Sequence, residues 1–126
     1  MKKFKIKLAI KGMLWLLNRM KKTNELIKDW NRIIYYDLEN SDFYIETKNG
    51  KVFFHDGRPI KSDVTLIISP DMLLEIIKGE ISMDEAFLQK KYEMIGNIFD
   101  AAKFRHLIRV LEESHQKPLS FGRKWL

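Results

Sequence analysis

DVTLIISPDMLLEIIKGEISMDEAFLQKKYEMIGN, residues 63–97, is the stretch on which the fold turns. Val64-Thr65-Leu66-Ile67-Ile68 is apolar at nearly every position and rich in β-branched residues, which predicts a central strand buried on both faces. Ser69-Pro70-Asp71 then offers a capping hydroxyl, a proline whose missing N–H is harmless at a helix start, and an acid at the positive dipole end. The spacing predicts a short helix through Ile76 and Ile77, stopped at Gly79 by a left-handed residue. Ser82-Met83-Asp84-Glu85 has the form of a capping box and opens a second short helix through Ala86, Phe87 and Leu88. Lys91 to Ile95 reads as a further strand, closed by Gly96 and Asn97. Beyond it Ala101, Phe104, Leu107, Ile108 and Leu111 share one face of a longer helix, with Asp100, Lys103, His106 and Glu113 away from it.

Upstream, strand patterning begins at Arg32 with Ile33-Ile34-Tyr35-Tyr36. Phe43-Tyr44-Ile45-Glu46-Thr47 alternates, Asn49-Gly50 is the dipeptide favoured in tight hairpin turns, and Val52-Phe53-Phe54-His55 returns. Asp56-Gly57-Arg58-Pro59 breaks the pattern before the central strand.

The first thirty residues have a different character. Residues 1–28 hold nine Lys or Arg against Glu25 alone, a balance of +8, while the remaining 98 residues carry −2. The positive charge belongs to one segment, which suggests an acidic surface met by a single helix rather than a basic face on a folded domain. On a helix over residues 7–28, Lys7, Lys11, Asn18, Lys22, Glu25 and Asp29 fall on one stripe, predicted to face solvent. Leu8, Met13, Leu16, Leu17, Met20, Ile27 and Trp30 fill much of the other side, and Gly12 is a position where the helix could begin. Lys11 and Arg19 interrupt the apolar run, so no bilayer span is expected, and no small-residue cleavage site follows to suggest a secretory signal.

Length and composition set the remaining bounds. A chain of 126 residues suits one core, and 45% apolar with 32% charged residues is the balance of a globular protein. The expected organisation is a basic amphipathic helix at 1–30, a domain at 31–116 and a basic tail at 117–126 in which Phe121 and Trp125 add apolar character. Without cysteine there is no disulfide, thiolate metal site or cysteine nucleophile. His106 and His115 are nine residues apart and point to opposite sides of a helix, so no metal centre is expected. Neither a phosphate-binding glycine loop nor a nucleophile elbow is present, and no cofactor or catalytic residue is assigned; the reading is of a non-enzyme. Nucleic-acid binding is disfavoured, because Tyr35, Tyr36, Phe43, Tyr44, Phe53 and Phe54 lie in a region without excess positive charge.

The order of elements from Asp63 to Glu113, with these residues, resembles the sterol carrier protein 2 family. Asp63-Val64-Thr65-Leu66 followed by Ile68-Ser69 is similar to its strand running into a helix. Leu73, Leu74 and Ile77 to Gly79 match its leucine-rich helix and glycine, Ala86-Phe87 its Ala-Phe pair, and Gly96 the glycine closing the next strand. Family members usually carry a second glycine before the last strand, where Lys90 stands here. The peroxisomal members' terminal signal has no match in Lys124-Trp125-Leu126, and the basic helix has no counterpart in the minimal family pattern.

The resemblance implies an α+β fold: a five-stranded, largely antiparallel sheet covered by helices, enclosing an apolar tunnel that accepts sterols, fatty acids, fatty acyl-CoA or isoprenoids. The lining expected on that basis is Phe43, Ile45, Phe53, Leu66, Ile68, Leu74, Ile77, Phe87, Phe104, Ile108 and Leu111, residues that patterning alone reads simply as core. For the front helix two readings stand beside solvated packing on the domain. In one, Lys3, Lys5, Lys7, Lys11, Arg19, Lys21 and Lys22 meet anionic lipid head groups while Trp15 and the leucines enter the interface, giving a cytoplasmic protein peripheral to the membrane. In the other, the wide apolar arc binds a protein partner.

Overall fold

The computed structural model describes residues 2–115; the expected tail at 117–126 lies outside them. Ten elements follow in the order α1 (Lys2–Asn18), α2 (Lys21–Ile27), β1 (Arg32–Asp37), β2 (Phe43–Lys48), β3 (Lys51–Asp56), β4 (Val64–Ile67), α3 (Pro70–Ile77), α4 (Met83–Leu88), β5 (Glu93–Gly96) and α5 (Ile98–His115). The strands form one sheet in the order β3-β2-β1-β4-β5. Only β1 and β4 run parallel, with Tyr36 opposite Leu66; the other three pairings are antiparallel.

Local chemistry places the turns. Asn49 and Gly50 both adopt positive φ (52° and 76°), the geometry that lets a two-residue turn follow the twist of β2 and β3. Gly96 has φ +121°, and a Cβ there would stand 2.2 Å from the Asp63 carbonyl oxygen, so the close approach of β5 to the start of β4 needs glycine. Lys90, standing where the resemblance expects a glycine, takes φ 58°, so the left-handed turn is retained with a side chain on it.

One face of the sheet carries Ile34, Tyr36, Phe43, Ile45, Leu66 and Ile68 into a single core shared with α1, α2, α3 and α5. β4 lies inside the sheet between β1 and β5, but burial on both faces is not observed: Val64, Leu66 and Ile68 are buried whereas Ile67 is exposed. The helices that cover the core face leave Ile67 on the opposite one. α5 is fixed over the sheet by Asp100, which accepts hydrogen bonds from Trp30 Nε1 and Arg32 Nε, both at 2.9 Å.

The front segment differs from its sequence pattern in three ways. Gly12 is buried inside α1, and the break falls instead at Met20, which has extended backbone (φ −94°, ψ 125°). Ile6, Ala9, Ile10, Leu14 and Leu17 form the buried face, while Leu8 is exposed. The polar stripe is not a solvated seam throughout, because it runs beside the edge strand β3. Asn18 accepts from Val52 N–H and donates to Val52 C=O, both at 2.8 Å, which satisfies the unpaired edge of β3. Among the described residues no helix is long and apolar enough to cross a membrane.

Candidate functional site

Between α1 and the α3–α4–α5 segment lies a cavity of about 330 Å³. Its size is set by how α3 and α4 are held. Ser69 Oγ caps α3 by accepting from Met72 N–H at 3.1 Å, and Gly79 (φ 78°) ends the helix with its N–H on Ile76 C=O at 3.0 Å. Ser82 Oγ then caps α4 by accepting from Glu85 N–H at 3.0 Å. Two short capped helices joined by this tight turn contribute only Leu73 and Ala86 to the buried core, so they leave space between themselves, α1 and α5 unfilled.

The apolar lining comprises Ile10 and Met13 from α1, Leu73, Ile76 and Ile77 from α3, Ile81 and Met83 around the start of α4, and Ile108 and Leu111 from α5. Tyr36 reaches it from the sheet. Its ring stacks on Phe43 at 4.7 Å and the residue is 5% exposed. Burial, reinforced by Tyr92, pushes its pKa far up, so it stays a neutral donor. The charged lining groups gather where α4 meets α5. Asp84 lies 3.1 Å from Arg105 Nε and 3.5 Å from Arg109, tying α4 to α5. Arg105 Nε makes no well-aimed hydrogen bond despite that distance. Glu112 has its pKa raised by burial against the pull of Arg109, with Asp84 and Glu113 adding to the rise. Among the described residues no three His, Cys, Asp or Glu side chains are grouped to hold a metal ion.

Of the expected lining residues, Ile77, Ile108 and Leu111 face this cavity. Phe43, Ile45, Leu66, Ile68 and Phe104 are core, and Leu74 is half-buried against it. Two lie at the surface. Phe53 is exposed because inward parity on β3 falls on Val52 and Phe54, and Phe87 is exposed on α4 with its ring 5.8 Å from that of Tyr92. The missing wall was α1: Ile10 and Met13 follow the same helical spacing as Ile6 and Leu17, but sequence patterning had assigned that helix to a separate segment.

The basic residues of α1 and α2 divide into two groups. Lys3 donates to Glu39 C=O at 3.0 Å, Lys7 pairs with the Asp56 carboxylate, and Lys11 sits 4.9 Å above the Phe54 ring. Lys5, Lys21 and Lys22 are exposed, and Arg19 stacks 4.7 Å over Trp15. On the outer side of α1 Phe4, Leu8 and Trp15 are 68%, 45% and 56% exposed; Phe4 was not anticipated, although its spacing to Leu8 and Trp15 repeats the helical period.

The family model described as the SCP-2 sterol transfer family matches residues 13–109, which include the last six residues of α1, the whole sheet and most of the cavity lining; Ile10, Leu111 and Glu112 lie outside the match. Among solved structures the chain is similar to sterol carrier protein domain 2 of Helicoverpa armigera, with 29% identity over 80% of this chain and 85% of that one and a TM-score of 0.62. It also matches a UbiJ-SCP2 ubiquinone synthesis protein, with 14% identity, 82% and 88% of the two chains and a TM-score of 0.65. A third match is the sec-alkylsulfatase Pisa1 from Pseudomonas sp., with 17% identity and a TM-score of 0.54; 68% of this chain is covered, but it spans only 13% of that enzyme. No match is found among curated proteins.

Proposed function

The chain belongs to the SCP-2 sterol transfer family, a family of lipid-binding and lipid-transfer domains, and from that membership we propose that it holds an apolar lipid in the α1–α3–α5 cavity without transforming it. The observation that carries this reading is the cavity itself: about 330 Å³ of space walled mainly by Ile, Leu and Met, with the charged lining residues Asp84, Arg105 and Arg109 gathered where α4 meets α5. An acyl or isoprenoid chain entering it is driven by loss of hydrated hydrocarbon surface, at roughly 0.8 kcal/mol per CH₂. About ten methylenes therefore supply on the order of 8 kcal/mol before the cost of association. The polar end of the ligand rests among Ser82, Arg105, Arg109 and Glu112, and Tyr36 offers a neutral hydroxyl from the sheet side. Native mass spectrometry after incubation with stearate tests this. The expected result is a one-to-one complex; a spectrum showing only free protein overturns the reading.

A second reading concerns the outer side of α1. Phe4, Leu8 and Trp15 form an exposed apolar strip beside Lys5, Lys11 and Arg19, and α1 contains no acidic residue. That combination suits the interface of an anionic membrane, where aromatic and aliphatic groups enter and lysines meet the head groups. Point variants are the proper test, because α1 supplies core residues and its deletion would remove part of the fold. Phe4→Ala with Trp15→Ala is expected to abolish co-sedimentation with phosphatidylglycerol vesicles. Unchanged co-sedimentation would reject this surface, and a stable complex with another protein in detergent-free sizing would favour a partner instead.

A further inference from the structure

We propose that the polar end of the cavity selects a ligand whose head group is an oxyanion of one negative charge, such as a carboxylate, and that Glu112 competes with that head group for Arg109, so that the ligand's charge enters together with a proton. The inference rests on the lipid site proposed above and names the chemistry of its polar end. Arg105, Arg109 and Glu112 are spaced four and three residues apart on α5, which puts them on one stripe of the helix, and all three line the cavity. Ser82 and Asp84 line it from the start of α4.

The charges at this end leave room for one anion. A single carboxylate, Asp84, is shared by both guanidiniums: its Oδ1 lies 3.1 Å from Arg105 Nε and its Oδ2 3.5 Å from Arg109 Nη2. One positive charge is left over, on Arg109, whose contact is the longer and whose side chain is half exposed. A planar guanidinium presents the fork of N–H groups that a carboxylate accepts. Ser82 adds a donor, since its oxygen caps α4 by accepting from Glu85 N–H and its own O–H can turn to a ligand.

Glu112 follows Arg109 by three residues. As a carboxylate it attracts Arg109 from within the chain and repels an incoming anion; as a neutral acid it does neither. Burial outweighs the attraction of Arg109, with Asp84 and Glu113 adding to the rise, so its proton is held more tightly than in an ordinary glutamate. The wall from α1 and α3 is apolar, at Ile10, Met13, Ile76 and Ile77, and Tyr36 stays a neutral hydroxyl. An anion beside Arg109 places a second negative charge near Glu112 and moves it further toward the neutral form. For a ligand of fixed charge, affinity therefore rises as pH falls through the pKa of Glu112 in the complex, and levels off below that of the free protein.

Decanesulfonate, whose charge is fixed, decanol and monodecyl phosphate present three head groups on one chain. Isothermal titration calorimetry between about pH 5 and pH 7, in two buffers of different ionisation enthalpy, reads both affinity and proton uptake. The sulfonate is expected to bind about tenfold more tightly than the alcohol, with a proton uptake that the alcohol lacks. The phosphate carries more than one charge at pH 7 and should bind more weakly than the sulfonate there; tighter binding overturns the preference for a single charge. Arg109→Gln, at a half-exposed position, should lower sulfonate affinity about tenfold and leave the alcohol unchanged. Glu112→Gln should raise sulfonate affinity about threefold at pH 7 and abolish the uptake; uptake that persists overturns the role of Glu112. Equal binding of sulfonate and alcohol overturns head-group selection while leaving the cavity as the lipid site. Binding of neither overturns the lipid site itself.

Discussion

The two sides of the helical layer are packed to different densities. Over β1, β2 and β3, the side chains of Ile6, Leu17, Ile34, Phe43, Ile45 and Val52 are at most 1% exposed, and the rings of Tyr36, Phe43 and Phe54 stack in sequence at 4.7 and 5.2 Å. Around the cavity, α3 and α4 bury one residue each, while Leu74, Ile76, Ile77, Ile81 and Met83 are only partly covered. The first side is filled by the protein's own side chains. On the second, side chains face open space and lack packing partners, an arrangement that gives up some stability and suits the proposed ligand site.

Substitutions on the dense side should damage stability most. Phe43→Ala removes a fully buried ring with two stacking neighbours and is expected to cost about 3–5 kcal/mol, read from the urea midpoint. Asn18→Ala leaves both edge groups of Val52 without their partner and should cost about 1–3 kcal/mol in the same assay. Ile108→Trp breaks the comparison from the other side. Filling the cavity should change stability by less than about 1.5 kcal/mol while lowering stearate affinity roughly tenfold or more; a large loss of stability with binding intact would mean the space is not the site.

Smaller effects sharpen the picture. Burial raises the Glu112 pKa above its ordinary value, so the folded state holds that proton more tightly than the unfolded chain. Its contribution to stability is full at acid pH below the ordinary glutamate value and is lost as pH rises through the raised one. Glu112→Gln should therefore raise the melting temperature at pH 7 and leave it unchanged near pH 3; the opposite ordering would contradict the burial of this carboxyl. Lys90→Gly relieves a left-handed backbone and is expected to add up to about 1 kcal/mol in thermal denaturation.

Much of this was legible in the sequence where the signal is local. Ser69, Gly79, Ser82 and Asn97 act as caps or stops because each works through backbone groups a few residues away. The hairpin at Asn49-Gly50 is equally local. Parity in Val52-Phe53-Phe54 was not, since three consecutive apolar residues leave the inward face undecided until β3 pairs with β2. Nor was the role of α1: its lysine stripe reads as solvated until Asp56 and the free edge of Val52 are brought alongside it. The polar rim joining Asp84 to Arg105 and Arg109 depends on how α4 meets α5, which no periodicity in either helix encodes.

The most direct test is an isotope-filtered NMR experiment on the protein with uniformly carbon-labelled palmitate. Cross-peaks are expected from the acyl chain to the methyl groups of Met13, Ile76, Ile77 and Ile108, which line the cavity, and not to Ile34, Ile45 or Val52 of the dense core. Cross-peaks confined to exposed groups such as Leu8 or Ile98, or none at all, would contradict an internal lipid site.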